Sequence, residues 1–201
     1  MDDLTRTVFS LALLGESEVG KTSLIMRLCN NEFNEHELST VGKESHMYSV
    51  KLHGHDMKIK IFDTAGQERF RSLIVKIFKI AEAIMLVYSI GNKRSFNQLD
   101  EWLRELSQNV DTTKIPIIII GNKSDLDEED RVISYDEGKN YAEKKGYHFY
   151  ETSVKNNKNI SECFNDIFEQ LYKIYEPEIV GNTSKIENVK LKKKKTKKKG
   201  C

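Results

Sequence analysis

Gly15-Glu16-Ser17-Glu18-Val19-Gly20-Lys21-Thr22 follows an apolar run, Val8 to Leu14, and opens a helical pattern. That is the spacing and context of a phosphate-binding glycine loop. Consecutive backbone N–H groups and a helix N-terminus converge there on an anion. Lys21 would reach the β- and γ-phosphates and stabilise charge, and Thr22 would offer its hydroxyl to magnesium. Glu18, Val19, Gly20, Lys21, Thr22 and Ser23 are therefore the candidate phosphate contacts. The plainer reading of the same octapeptide is a glycine turn before a helix. A second constellation, Asp63-Thr64-Ala65-Gly66-Gln67-Glu68, closes the alternating run Met57 to Phe62. It supplies a carboxylate for the magnesium shell through water (Asp63), a glycine whose N–H can meet a γ-phosphate (Gly66), and a glutamine that can orient water for attack (Gln67).

The base is addressed by Asn122-Lys123-Ser124-Asp125, just past the apolar stretch Ile115 to Gly121, where ligands sit in open α/β sheets. A carboxylate at Asp125 can accept from both N1–H and the exocyclic amine of guanine, a donor pair adenine lacks. Leaving such a carboxylate unpaired is costly, so guanine is selected. Alone, the tetrapeptide would read as a solvated turn; its distance and order after the glycine loop reverse that.

The elements that must position these loops follow from the pattern of apolar residues. Val8 to Leu14, Ala83 to Ser89 and Ile115 to Ile120 are continuous apolar runs of strand length, which suit parallel strands covered on both faces. His46, Tyr48, Val50 and Leu52 alternate, as do Met57, Ile59 and Ile61, around His53-Gly54-His55-Asp56. This predicts an antiparallel hairpin at a sheet edge with one wetter face. Tyr147 to Glu151 is a sixth short strand. Phe96, Leu99, Trp102, Leu103 and Leu106 mark one helix, Ser134 with Glu137 a capping box, and Ile160 to Ile174 the last helix. The expectation is a three-layer α/β domain over residues 1–176, with a six-stranded, mostly parallel sheet, one antiparallel edge strand and helices on both faces. Residues 177–201, after Pro177, are expected to be a flexible polybasic tail.

The chain has 201 residues and a formal net charge of +1, which hides a segregation. Residues 182–201 hold nine Lys and one Glu, and the remainder holds 23 Lys and Arg against 30 Asp and Glu. An acidic body with a basic tail argues against nucleic acid and directs the tail to an anionic surface. The longest apolar run, Ala83 to Ile90, is interrupted by Ser89 and falls well short of the roughly 18 residues of a spanning helix. Met1 to Arg6 has no apolar h-region, so a cytosolic chain is expected. Cys29 and Cys163 read as core thiols, and Cys201 after the lysines as a lipidation site beside an electrostatic anchor. A merely solvated tail or a nuclear-localisation signal remains open.

At these motifs the chain resembles the small GTPases of the Ras superfamily, and is most similar to the Rab branch through Asp63 to Phe70 followed by Arg71-Ser72-Leu73. The resemblance covers residues 7 to about 176. It implies that Thr40, in Ser39-Thr40-Val41-Gly42, ligates magnesium in the GTP state, that Phe33 stacks edge-on against guanine, and that Ser153-Val154-Lys155 forms the last guanine loop through backbone N–H groups. It also implies a GTP/GDP switch whose switch I (about 33–45) and switch II (about 64–80) meet an exchange factor, a GTPase-activating protein and effectors, acting as a monomer in vesicle-mediated transport. The expected location is the cytosolic face of an intracellular membrane, with a soluble pool.

Several residues depart from the family pattern. Glu18 replaces a small residue, Val154 an alanine and Phe62 the tryptophan typical of Rab proteins. Lys43-Glu44-Ser45 lacks the apolar residues that Rab effectors commonly read, and Glu37 stands where an aromatic is frequent. Cys201 sits in neither a Cys-a-a-X box nor a double cysteine. Only 17 residues separate Thr22 from Thr40, with no arginine after Arg27. That leaves no room for the helical insertion of heterotrimeric G-protein α subunits and no arginine finger in cis, so intrinsic hydrolysis should be slow and partner-dependent. The alternatives are a GTP-binding membrane scaffold that scarcely hydrolyses, a Ras-like signalling GTPase, and, more remotely, a P-loop small-molecule kinase, against which Asn122 to Asp125 and the lack of a lid insertion speak.

Overall fold

The computed structural model describes residues 8–32, 43–64 and 71–197, with side chains to residue 180 except at 43–44 and 71–73. Six strands form one sheet in the order β2-β3-β1-β4-β5-β6, where β1 is Val8–Leu14, β2 Lys43–Leu52, β3 His55–Thr64, β4 Ala83–Ser89, β5 Ile117–Asn122 and β6 His148–Thr152. Only β2 runs antiparallel to its neighbour; the other four pairings are parallel. The fold class is the one the sequence predicts. Two-residue alternation sends side chains to two cores. Phe9, Leu11, Leu13, Ile59, Ile61, Met85, Val87, Ile118 and Ile120 pack on one face against Leu24 and Ile25 of α1 (Lys21–Asn30) and Phe164, Ile167, Phe168 and Leu171 of α6 (Ile160–Lys197). Ala12, Leu14, Phe62, Ile84, Leu86, Tyr88, Ile117 and Ile119 pack on the other face. Their partners are Ile74 and Phe78 of α2 (Arg71–Phe78), Phe96 of α3 (Lys93–Asn97), Leu99, Trp102 and Leu106 of α4 (Leu99–Ser107) and Ala142 of α5 (Tyr135–Lys145). Both faces of β4 and β5 are covered, which is why they read as unbroken apolar runs.

The hairpin turns on His53 and Gly54 alone, with φ of 50° and 84°. Two successive positive φ values give the turn twist that matches the flanking strands. Ser134 accepts the Glu137 N–H at 3.1 Å, but only half of the capping box forms, because the Glu137 carboxylate takes Lys93 Nζ at 2.5 Å. The single helix expected from Phe96 to Leu106 is divided at Gln98 into α3 and α4. Cys163 is a core thiol, and burial pushes its pKa up; Cys29 is only partly buried.

The larger difference lies at the C-terminal end. The helix expected to stop before Pro177 continues to Lys197, so the boundary read at residue 176 falls inside α6. Proline costs the helix the bond its N–H would give the Lys173 carbonyl. Burial outweighs that local rule: Ile179 is 5% exposed and joins the α1/α6 core, and Tyr175 packs on Phe9 with ring centroids 5.2 Å apart.

Candidate nucleotide site

The carboxyl ends of β1, β3, β5 and β6 lie at one end of the sheet, and each leads into a segment singled out by its residue types. β1 passes into the glycine loop and then α1. Gly15 has φ of 142°, and a Cβ there would lie 2.1 Å from the Val87 carbonyl oxygen; Gly20 has φ of 94°, and its Cβ would lie 2.4 Å from Asn122 Nδ2. The two glycines of the motif are thus fixed by close approach to β4 and β5 as well as by conformation. Val19 between them is fully buried and anchors the loop to the core. Glu18 adopts φ of 63° with its side chain exposed, a left-handed conformation that costs an L-residue about 1–2 kcal/mol.

Lys21 is the most constrained polar group here. It is 5% exposed, and its Nζ donates to the carbonyls of Gly15 at 2.9 Å and Glu16 at 2.7 Å. Burial pulls its pKa down to about 8, partly offset by the negative charges of Asp63 and Glu16. A buried cation held on carbonyl oxygens at a helix N-terminus is poised for an anionic ligand, which answers both the charge and the N–H groups. Next to it, Thr22 Oγ1 donates to Asp63 Oδ2 at 2.6 Å, and Asp63 is fully buried at the end of β3. Thr64 fixes that strand end by donating its hydroxyl to the Leu13 carbonyl at 2.7 Å. A hydroxyl and a carboxylate in contact beside a phosphate loop are hard oxygen donors of the kind magnesium takes, with phosphate and water completing its shell. The residues present fit that ion.

The base loops are tied to the phosphate loop by Asn122, which is 2% exposed. Its Nδ2 donates to the Val19 carbonyl at 2.9 Å, and its Oδ1 accepts from Thr152 Oγ1 at 3.0 Å. One side chain at the end of β5 thus ties the phosphate loop to the end of β6 and sets their spacing. Lys123 follows with φ of 67°, turning the chain so that Ser124 N–H meets the Thr152 carbonyl at 2.9 Å. Ser153, fully buried, donates its hydroxyl to Asp125 Oδ1 at 2.5 Å, which orients a half-buried carboxylate while leaving it acceptor capacity. Val154 is buried, only 4% exposed, and Lys155 follows on the exposed side of the loop. The loop is stiffened from behind by Glu151, which pairs with Arg131 through both oxygens at 2.6 and 2.9 Å. Asn159 Nδ2 also caps the Glu151 carbonyl at 2.7 Å.

The structure therefore gathers Glu18, Val19, Gly20, Lys21, Thr22, Ser23, Asp63, Asn122, Lys123, Asp125, Ser153, Val154 and Lys155 at one end of the sheet. Phe33, Thr40, Gly66, Gln67 and Cys201 lie outside the described residues. The contributions of Thr152, Arg131 and Arg27 were not foreseen. Thr152 stood inside a stretch read for its backbone, while Arg131 and Arg27 act across 20 and 127 residues, where local spacing carries no signal. Phe62, in place of tryptophan, is buried in the α2-side core with Lys60 Nζ 5.3 Å from its ring centroid.

Comparison with known proteins agrees with this geometry. The model of the Ras family matches residues 10–173. A curated relative, Ras-related protein RGP2 of Oryza sativa subsp. japonica, is 40% identical over 167 residues, covering 83% of this chain and 76% of that protein. On that family match and that relative, the chain belongs to the Ras family and is a small GTPase.

Proposed function

We propose that this GTPase is a Rab-like switch in vesicle-mediated protein transport, recruiting effectors to an intracellular membrane in its GTP form and releasing them after hydrolysis. The observation that carries the reading is the coupling of the nucleotide loops, through the core, to a helix that leads directly into the lysine-rich segment. The Rab-like run Asp63 to Leu73 supports it. Exchange factor, activating protein and effectors would engage the segments about 33–45 and 64–80. Hydrolysis is water attack on the γ-phosphate. Lys21 would neutralise charge on the β- and γ-oxygens, Thr22 and Thr40, with Asp63 through water, would hold magnesium, and Gln67 would orient the water. Magnesium held there would supply positive charge against the charge that develops on the phosphate oxygens.

Single-turnover hydrolysis with and without cell extract tests this. Gln67→Leu should retain GTP but hydrolyse it at least about tenfold more slowly, and Thr22→Asn should lose the GTP form because its amide replaces the hydroxyl that meets Asp63. A wild type that never hydrolyses, even with an activating partner, favours the scaffold reading.

Glu18 gives that second reading its specific support, since a carboxylate beside the phosphates repels them. Its exposed side chain lets solvent screen part of that repulsion. Glu18→Gly removes both the charge and the strained φ, so GDP release should slow by about tenfold or more. Equal release rates would mean that the carboxylate stays in solvent.

Attachment to the membrane rests on two signals. One lipid chain alone binds only marginally, and each lysine near an anionic leaflet adds about 1 kcal/mol, screened by salt. No described helix is long and apolar enough to cross a membrane. Cys201→Ser should move the protein to the soluble fraction, replacing the lysines with Gln should shift it off anionic membranes, and high salt should release some of the wild type. An unmodified Cys201 in the membrane fraction, read by intact mass, would exclude the lipid.

A further inference from the structure

Arg27 lies on α1, on the turn after Lys21, and reaches across that end of the sheet to the loop that follows β6. Its Nε and Nη2 both donate to the Val154 carbonyl, at 3.0 and 2.8 Å. Its Nη1 donates to the carbonyl of Asn31 at 3.0 Å. Asn31 is the C-cap of α1, with φ of 58° and its own N–H on the Arg27 carbonyl. One guanidinium thus pins the exit from α1 and the loop after β6 to each other.

Two donors of a rigid planar fork on one oxygen fix the direction of a carbonyl as well as its position. The Val154–Lys155 peptide is trans, so its N–H lies in the same plane and points opposite to the C=O. A carbonyl held against α1 therefore turns the Lys155 N–H away from α1. The preceding residues cannot swivel to compensate. Val154 is buried in the core, and Ser153 is locked by its hydroxyl on Asp125, by Asn156 N–H on that hydroxyl at 3.0 Å and by paired backbone bonds to Lys158 at 3.1 and 2.9 Å.

We propose that Arg27 is a positioning residue for guanine recognition: by holding the Val154 carbonyl, it aims the Lys155 N–H at the O6 acceptor of the base. This rests on the GTP-binding reading and adds to it. Asp125 reads the donor groups of guanine, and the plane set by Arg27 reads its acceptor, since only an acceptor such as O6 or N7 can answer an N–H. Lysine in place of Arg27 keeps a charge on a flexible stem but offers a point donor instead of a fork.

Three diphosphates separate the two contacts: GDP, 6-thio-GDP, whose sulfur is a poor acceptor at position 6, and IDP, which lacks the amine. For Arg27→Ala, GDP affinity should fall about tenfold, the share expected for one charge-positioned hydrogen bond. Affinity for 6-thio-GDP should fall much less, so the preference for oxygen over sulfur narrows while the GDP-to-IDP preference is unchanged. Arg27→Lys should lie between, and it gives the same comparison if the alanine variant does not fold. If both preferences shrink together, or neither moves, Arg27 is only a strut between loops and the proposal is overturned. Failure of the wild type to bind GDP would instead overturn the nucleotide reading itself, before any variant is compared.

Discussion

Asp125→Asn should exchange the base preference of this protein, losing GTP by about 100-fold or more and gaining xanthosine triphosphate. The carboxylate accepts from N1–H and from the exocyclic amine of guanine, and each hydrogen bond to a charged group is worth about 1.5–3 kcal/mol. Asparagine keeps one acceptor oxygen and substitutes an NH2 donor, which faces the guanine amine donor to donor. Xanthine carries an oxygen at that carbon, so the mismatch becomes a bond. The surroundings favour a clean exchange. Ser153 Oγ, 2.5 Å from Asp125 Oδ1, can equally donate to the amide oxygen, which fixes the amide orientation. Asn122, the strut that sets the height of the loop, is not touched, since its bonds run to Val19 and Thr152. Competition binding with GTP, xanthosine triphosphate and ATP measures the outcome. ATP displacing GTP from the wild type would refute guanine selection, and a variant that lost every nucleotide equally would make Asp125 a structural residue.

The placement of the proposed nucleotide loops at the strand ends was legible in the sequence because their residue types have few other uses in that order. Gly15 and Gly20 are demanded by contacts of 2.1 and 2.4 Å that a Cβ would make, and Asp63, Asn122 and Asp125 fall at or just past strand ends that apolar runs had marked. The sheet was legible for the same reason, down to the hairpin edge at His53-Gly54. What stayed hidden depends on contacts between distant residues. Arg27 meets Val154 across 127 positions, and nothing near either residue announces the other. α6 passes Pro177 because Tyr175 and Ile179 bury against β1 and its neighbours, a tertiary gain that no local helix rule contains.

Lys21→Met should uncouple nucleotide affinity from stability, which usually fall together: affinity drops by about 100-fold or more, while the nucleotide-free protein is no less stable. The loss of affinity follows from removing the only side-chain cation of the phosphate loop, and with it the charge-assisted bonds it would make to the β- and γ-oxygens. The retained stability follows from the cost of holding an ammonium at 5% exposure. Burial lowers the Lys21 pKa from 10.5 to about 8, which at 1.36 kcal/mol per unit corresponds to about 3 kcal/mol of destabilisation at neutral pH. The sign is set by proton counting: between pH 8 and 10.5 the unfolded chain binds more protons at this lysine than the folded one, so stability from this group rises with pH there and is flat below 8. Methionine, of similar length, carries no charge and no such pH dependence, at the cost of the donors now serving Gly15 and Glu16. Urea melts of nucleotide-free, chelator-treated protein at about pH 7 and about pH 9.5, set beside GDP titrations, test both expectations. The wild type should gain stability from Lys21 between the two pH values and the variant should not. A variant that unfolds several kcal/mol earlier than wild type at neutral pH would show that the bonds to the two carbonyls outweigh the buried charge, and that Lys21 holds the loop together as well as gripping phosphate.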